Sequence, residues 1–229
     1  MNGYGFDYHG LRLVARGSGV LWWPEGRWLI VADLHLGKSE RLARRGGPLL
    51  PPYEGLATLE RLAPEVAALD PACVISLGDA FDDMAAVAAL DPEILRGVQA
   101  LAQGRDWIWI AGNHDPDVPQ GLPGRVCRQL ALGPVILCHE PCSELEEAQI
   151  CGHFHPLVRL AGERRRAFLL GERRLILPAF GAYTGGLAYD EPALRAEVPR
   201  GLAIACGTRP LVLPIGVPQG RVRRRWGMR

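Results

Sequence analysis

Short apolar runs, each bounded by glycine, proline or charged residues, recur between residues 28 and 151. Runs of this length with many Val, Ile and Trp residues are typical of strands. They occupy residues 28–32, 73–77, 107–111, 135–138 and 149–151. We therefore predict a strand at each of these positions.

Helical patterns separate the first three predicted strands. Leu59, Leu62 and Val66 recur at the spacing of one helix face, which predicts a helix before the strand at residues 73–77. A second helical pattern covers residues 92–102. Strands that alternate with helices favour βαβ units, so we predict parallel pairing in the first half of the chain.

After residue 125 the predicted strands are shorter, and Gly and Pro become frequent. Paired runs predict one hairpin between residues 126–132 and 134–138 and another between residues 167–170 and 173–177. This half is expected to form a mostly antiparallel sheet. Two mixed sheets that face each other and are flanked by helices would give an α/β fold, a four-layer α/β/β/α sandwich.

The composition is that of an ordinary globular protein. The 229 residues are 48% hydrophobic and 22% charged, and the net charge is +1, so the chain as a whole does not attract nucleic acid strongly. No apolar run approaches the roughly 20 residues of a membrane span, and the first residues lack the pattern of a signal peptide. We expect residues 1–229 to form one cytoplasmic domain with reduced cysteines and no membrane contact.

Polar clusters follow each of the predicted strands, and they contain five of the six histidines. The clusters are Asp33-Leu34-His35, Gly78-Asp79, Gly112-Asn113-His114-Asp115, His139-Glu140 and Gly152-His153-Phe154-His155. Ligands bind at strand ends in α/β sheets, and residues two apart on an extended strand end point to the same side. One such histidine is more often a hydrogen-bonded core residue than a ligand, but the full set predicts a site for two metal ions.

The order of these clusters resembles the calcineurin-like metallophosphoesterase superfamily over residues 33–155. The resemblance implies two divalent metal ions. It implies that one ion is held by Asp33, His35 and His155, that the other is held by Asn113, His139 and His153, and that Asp79 bridges them. Imidazole and oxygen ligands without a thiolate suit manganese, iron or zinc, and the resemblance favours Mn²⁺.

The same resemblance implies a reaction. Two divalent ions activate a bridging water as hydroxide, which attacks the phosphorus in line without a covalent intermediate. His114, which follows Asn113, is implied to stabilise or protonate the departing oxygen. Asp115 either orients His114 or caps the turn before Pro116.

A further resemblance concerns a Gly-rich segment. Residues 177–186, together with residues 32–38, 44–46 and 50–53, are similar to the bacterial DNA-ligase-associated metallophosphoesterases. That subfamily implies a metal-dependent DNA endonuclease associated with a repair helicase, an ATP-dependent DNA ligase and an exonuclease. Tyr183 in this segment either approaches a phosphate or a base, or belongs to a tight structural turn.

Basic residues follow the first cluster and are candidate contacts to substrate. Lys38, which is the only lysine, and Arg44 and Arg45 either line a groove for DNA or form the solvated face of a helix. The arginines of residues 221–229 allow a similar choice between a solvated tail and a nucleic-acid contact.

Asp82 and Asp83 lie near the place where many members of the superfamily have a histidine that assists the substrate phosphate. Asp82 is therefore a candidate for the substrate side of the site. Alternatively, Asp82 or Asp83 caps the following helix or supports His114 or a metal ligand.

These features predict a phosphodiesterase that cuts single-stranded or flapped DNA during bacterial repair. A phosphomonoesterase or a small nucleotide diesterase would use the same metals in a closed pocket rather than an open groove. A lipid-precursor pyrophosphate hydrolase would need an apolar lid, which the sequence does not show. A catalytically silent scaffold would be expected to lose ligands, and all seven are present.

Overall fold

The computed structural model describes residues 2–47, 51–83, 90–113 and 121–216. Its strands are β1 (Gly3–Tyr8), β2 (Leu11–Arg16), β3 (Leu21–Trp23), β4 (Trp28–Val31), β5 (Cys73–Leu77), β6 (Asp106–Ile110), β7 (Arg125–Cys127), β8 (Gln129–Leu132), β9 (Val135–Cys138), β10 (Ala148–Cys151), β11 (Leu157–Leu160), β12 (Glu163–Leu170), β13 (Arg174–Ile176), β14 (Gly201–Ala205) and β15 (Leu211–Ile215). Its helices are α1 (Lys38–Arg44), α2 (Glu54–Leu69), α3 (Pro92–Ala102) and α4 (Pro192–Glu197). Both helices predicted from the apolar spacing, α2 and α3, are confirmed.

The ends of these two helices follow from local sequence. Asp91 accepts a hydrogen bond from the backbone N–H of Glu93, and Pro92 lies in the first turn, so α3 begins there. Helix α2 ends at Leu69, and its C-cap residue Asp70 has a φ of 43°, in the left-handed region. Among the described residues, no helix has both the length and the apolar character that a membrane span requires.

The first sheet has seven strands in the order β1-β2-β3-β4-β5-β6-β7. Strands β4 to β7 are parallel, and α2 and α3 lie between them in the sequence, which confirms the predicted βαβ alternation. One expectation is wrong. Residues 125–127 form β7, which pairs with β6 and takes no part in the hairpin with residues 134–138, because a strand this short carries too little pattern to identify its partner.

The second sheet has the order β15-β14-β12-β13-β10-β9-β8, with β11 on β12. Most of its pairs are antiparallel, and the hairpins β8–β9 and β12–β13 confirm two predictions. At its centre, however, β9, β10 and β13 are parallel. Parallel pairing brings the carboxyl ends of β9 and β10 to the same edge, and this edge carries His139 and the Gly152–His155 cluster.

The main core lies between the two sheets. Ile30, Ile75 and Ile108 of the first sheet pack in one cluster with Leu137 and Phe168 of the second. Because side chains alternate along a strand, the neighbouring residues of each strand point to the opposite face.

Helices cover both outer faces. Leu29 and Trp109 of the first sheet pack against Leu62 of α2 and Val98 of α3. On the second sheet, Leu169 belongs to a third cluster that includes Leu194 of α4. The order of layers is therefore helix, sheet, sheet, helix, which confirms the predicted α/β/β/α sandwich of two mixed sheets.

Candidate metal centre

The predicted ligands follow the carboxyl ends of strands from both sheets. Asp33 and His35 follow β4, Asp79 follows β5 and Asn113 follows β6. In the second sheet, His139 follows β9, and His153 and His155 follow β10. A parallel bridge between Ala32 and Ala179 joins the two sheets at this edge. The fold thus gathers side chains that are up to 122 positions apart in the sequence, counting from residue 33 to residue 155.

Asp33, His35 and His155 form the first group that can hold a metal ion. The Nε2 atoms of His35 and His155 are 3.3 Å apart, and His155 Nε2 lies 3.2 Å from Asp33 Oδ1. Asp33 and His35 are buried, whereas His155 is partly open to solvent. These are the three residues predicted for one ion.

Asp79, His139 and His153 form the second group. His139 Nε2 lies 3.4 Å from Asp79 Oδ2 and 3.3 Å from His153 Nδ1. The Oδ1 atom of Asn113 is 2.8 Å from the same His139 nitrogen. The structure therefore places all four of the remaining predicted ligands together.

The two groups lie side by side. The backbone N–H of His153 donates to both carboxylate oxygens of Asp33, at 3.2 and 3.1 Å. His139 Nδ1 is 3.9 Å from Asp33 Oδ1. A ligand of one group thus contacts residues of the other, as a dinuclear centre requires.

The donor atoms fit divalent cations. His35 Nδ1 lies 2.8 Å from the Asp82 carboxylate, and His139 Nδ1 lies 3.2 Å from the carbonyl oxygen of Leu77. When these Nδ1–H groups donate, the unprotonated Nε2 atom of each neutral ring faces the centre of its group. The Nε2 lone pairs and the carboxylate oxygens of each group then converge on one point, which favours a cation there. Imidazole nitrogen and carboxylate oxygen ligands suit manganese, iron or zinc.

The surroundings of His139 also favour positive charge. Burial by itself would lower the pKa of His139, but the hydrogen bond to Asp79 and the charges of Asp33 and Asp79 raise it to about 9. Burial lowers the pKa of His153. A divalent ion would replace the proton that the two carboxylates attract, so its binding would release protons.

The backbone at the ligands is left-handed. Asp33, His35, Asp79, His153 and His155 have φ values of 54°, 47°, 45°, 70° and 49°. Residues other than glycine rarely adopt this conformation, which costs roughly 1–3 kcal/mol each and is concentrated at functional sites. The expected geometry of an extended strand end is therefore wrong, because left-handed turns bring the paired side chains together.

Close backbone approach explains two of the glycines. A Cβ atom on Gly152 would lie 2.7 Å from Asp33 Oδ2, and one on Gly181 would lie 2.2 Å from the Leu34 carbonyl oxygen. The N–H of Gly181 donates to the Asp33 carbonyl oxygen at 3.0 Å. The Gly-rich segment of residues 177–186 therefore borders the first group.

A family model described as calcineurin-like phosphoesterase matches residues 26–164. This chain belongs to that family. The crystal structure of Pseudomonas putida nuclease MPE is 29% identical, with a TM-score of 0.74 over 93% of this chain and 100% of that one. Yfce, a phosphoesterase from E. coli, is 16% identical, with a TM-score of 0.40 over 70% of this chain and 83% of that one. Among curated proteins, none matches this sequence.

Asp82 was predicted to lie on the substrate side of this metal-dependent phosphoesterase, and that prediction is wrong. Its side chain is 1% exposed, so it does not face substrate; it lies between His35 Nδ1 and Arg41 Nε. Burial would raise the pKa of this carboxyl group, but His35 and Arg41 hold it below its usual value. Asp82 thus orients His35, as in the alternative that gives it a metal ligand to support.

Replacing Asp82 with asparagine is expected to weaken metal binding about tenfold or more, because the carboxylate that orients His35 is lost. Calorimetric titration with Mn²⁺ measures the effect. Asp7→Asn on the exposed face of β1 makes the same change of charge far from the site and should keep the wild-type affinity. If Asp82→Asn and Asp7→Asn bound Mn²⁺ with equal affinity, the role of Asp82 in orienting His35 would be contradicted.

Two of the predicted DNA contacts are already paired with acidic residues. Arg44 bonds to Glu40 and to Asp83, at 3.0 and 2.9 Å, and Arg45 lies 3.3 Å from Asp83. Lys38 begins α1, is half-buried, and has no ion pair in the part of the chain that the structure describes. Of these basic residues, Lys38 is therefore the one whose charge is most available.

Tyr183 and Phe180 have different positions in the Gly-rich segment. Phe180 is fully buried in the core between the first sheet and its helices. Tyr183 has a φ of 54° and is 44% exposed, so its ring is accessible to a substrate. The segment serves the core and presents an aromatic ring at the same time.

Some predictions fall outside the described residues. These are the roles of His114 and Asp115 and the interpretation of the basic tail at residues 221–229. The structure also adds a residue to which the sequence analysis assigns no role: Glu140 Oε1 lies 3.3 Å from His153 Nδ1. The position of Glu140 directly after the candidate ligand His139 could have indicated this contact.

Proposed function

We propose that this phosphoesterase is a dinuclear metal-dependent nuclease that hydrolyses phosphodiester bonds of DNA. The observation that carries the proposal is the similarity to Pseudomonas putida nuclease MPE along almost the whole chain.

The metal ligands have the following roles in this proposal. Asp33, His35 and His155 would hold one ion, Asn113, His139 and His153 would hold the other, and Asp79 would be shared between them. Divalent ions, of which we favour Mn²⁺ over iron or zinc, supply Lewis acidity and lower the pKa of coordinated water. Asp82 and the Leu77 carbonyl hold His35 and His139 in the orientation that binding needs.

The chain's remaining residues bind and orient the substrate or move protons. Water attacks the phosphorus directly, so no protein nucleophile is needed. His114 protonates the departing oxygen, and Asp115 orients His114, by the resemblance of their motif to the family. Tyr183, whose ring is exposed, and Lys38, which is half-buried but has no ion pair among the described residues, contact the strand beside the metal centre.

The biological setting is a further part of the proposal. The resemblance to DNA-ligase-associated enzymes favours single-stranded or flapped DNA as substrate. It also favours a cytoplasmic repair system with a DNA ligase, a helicase and an exonuclease as partners.

One observation favours a smaller substrate. Arg44 and Arg45 are paired with Asp83, which reduces the positive charge that α1 offers to a long strand. A phosphomonoesterase or a small nucleotide phosphodiesterase is therefore the second candidate.

A direct assay separates these candidates. The purified protein with Mn²⁺ is given single-stranded DNA, a flapped duplex, a bis-substituted phenyl phosphodiester and the corresponding monoester. We expect cleavage of both DNA substrates and of the diester. Asn113→Ala and His114→Ala should each lower the rate at least about a hundredfold, since each removes a group that acts in the transition state.

Hydrolysis of the phenyl diester without any DNA cleavage would contradict the nuclease proposal. Hydrolysis of the monoester alone would favour the second candidate. Full activity in both variants would instead contradict the assignment of the site.

A further inference from the structure

A cavity of about 510 Å³ lies beside the turn that joins β2 and β3. Its lining includes Ser18, Arg61, Arg165, Arg166, Gly207 and Thr208. Three arginines thus face one cavity, and no carboxylate lines it among the residues that the structure describes.

Arg61 and Arg166 make hydrogen bonds to neutral groups. Arg61 donates to the carbonyl oxygens of Phe180 and Ser18, at 2.6 and 3.1 Å, and its guanidinium lies 4.7 Å from the Phe180 ring centre. Arg166 donates to the same Phe180 oxygen at 3.1 Å and to Thr184 Oγ1 at 3.1 Å. Within the described part of the chain, neither guanidinium has an acidic partner.

The nearby carboxylates are already paired. Glu65, one turn after Arg61 on α2, bonds to Arg16 at 2.8 Å. Glu163 lies 3.2 Å from Arg165 at the surface. Arg165 is therefore paired with Glu163, whereas the charges of Arg61 and Arg166 are not neutralised by the described carboxylates nearby.

The burial of the two arginines near each other has an electrostatic cost. Burial lowers the pKa of Arg61, and burial together with the charge of Arg61 lowers the pKa of Arg166 to about 10. An anion between two such guanidinium groups would offset both the desolvation and the mutual repulsion. Planar guanidinium groups match the oxygens of a phosphate in two-point hydrogen bonds.

The cavity opens at the same edge of the sheets as the metal centre. Its turns at Gly17 and Gly207 meet through a 2.9 Å backbone hydrogen bond. Phe180 connects the two sites, because its N–H donates to Ala32, next to the ligand Asp33, while its carbonyl oxygen accepts from the arginines. The turn before β3 lies one or two strands away from the end of β4. Because neighbouring strands are about 4.8 Å apart, this separation is roughly 5–10 Å.

We propose that this cavity is a second phosphate-binding site, which holds a backbone phosphate of the DNA strand whose scissile bond lies at the metal centre. The inference rests on the proposed nuclease function. Because the cavity and the metal centre lie at one edge of the sheets, phosphates of the same strand can occupy both. The site would explain how a chain of net charge +1 holds a polyanion, because the local positive charge is concentrated beside the metals.

The test places a carboxylate in the cavity. Thr208 is exposed on its rim, so glutamate there can reach the arginines and compete with a phosphate. Thr208→Gln has the same shape without the charge. Gln103→Glu adds the same charge after α3, at the opposite end of the first sheet, and controls for net charge.

The measured quantity is the ratio of kcat/KM for a single-stranded oligonucleotide to kcat/KM for the small phenyl diester, with Mn²⁺ bound. We expect Thr208→Glu to lower this ratio about tenfold through the KM for the oligonucleotide, as the loss of one charged contact would do. Thr208→Gln and Gln103→Glu should keep a ratio within about twofold of the wild type.

The outcomes separate this inference from the proposal on which it rests. If the wild type cleaves the oligonucleotide and Thr208→Glu has an unchanged ratio, the second site is wrong and the nuclease proposal stands. If the wild type cleaves only the small diester, the nuclease proposal fails first. If inorganic phosphate raises the Tm of the wild type but not of Thr208→Glu, while the ratio is unchanged, the cavity binds free phosphate, and the assignment to a DNA strand is overturned.

Discussion

Asp79→Asn is expected to lower phosphodiesterase activity by at least about a thousandfold and to reduce the metal content of the protein. Loss of a residue that only orients a ligand costs roughly 10- to 100-fold, so loss of a bridging ligand should cost more. Asp79 is 3% exposed and lies 3.4 Å from His139 Nε2, so an amide here also removes the charge that favours a cation. Metal analysis by mass spectrometry and rates with the phenyl diester measure the two effects.

The matched control is Asp106→Asn. Asp106 is exposed at the first residue of β6, at the opposite end of the sheet from the ligands, and the change of charge is the same. The control should keep its metal content and a rate within about twofold of the wild type. A full complement of metal in Asp79→Asn would show that this carboxylate is not a ligand.

Gly78→Ala is expected to destabilise the fold by roughly 2–5 kcal/mol and to impair metal binding. Gly78 has a φ of 73°, and a Cβ atom there would lie 2.2 Å from His139 Nδ1. A left-handed alanine costs roughly 1–2 kcal/mol, and displacement of a packed side chain adds roughly 1–3 kcal/mol. Because the displaced ring is that of a candidate ligand, we expect the loss of stability and the loss of metal to occur together. Urea unfolding and metal titration measure them.

Gly104→Ala separates the two contributions. Gly104 has nearly the same φ, 75°, but a Cβ atom at this position would meet no other atom within 4 Å. Gly104→Ala should therefore lose only the roughly 1–2 kcal/mol of folding stability that a left-handed alanine costs, and its metal binding should be normal. Equal losses of folding stability in Gly78→Ala and Gly104→Ala would mean that the close contact between His139 and Gly78 is unimportant.

The sequence predicted the layers well because apolar periodicity reports burial directly. The runs at residues 28–32 and 73–77 are strands buried on both faces, and helix α3 has the predicted bounds. The partner of a three-residue strand was not predictable. Strand β7 joined β6 through contacts with Ile108 and Ile110, which local pattern does not encode.

The candidate ligands could be recognised from the sequence because the residue types alone carry the chemistry. Asp33, His35, His153 and His155 stand in pairs, and their imidazole and carboxylate groups are suited to metals wherever the backbone takes them. The predicted geometry, in contrast, was wrong. Their backbone is left-handed, and such strain persists only where surrounding contacts over-determine the conformation.

The candidate metal-binding atoms and the buried segments can be read from the amino-acid sequence, since ligand chemistry is a property of side chains and apolar patterns report burial. The roles of the other charged groups depend on how the two sheets pack. Asp82 lies behind His35 and does not face the substrate, and Arg61 and Arg166 meet at one cavity although they are far apart in the chain. Charge interactions depend on distance and burial, and both quantities exist only once the two sheets have packed together.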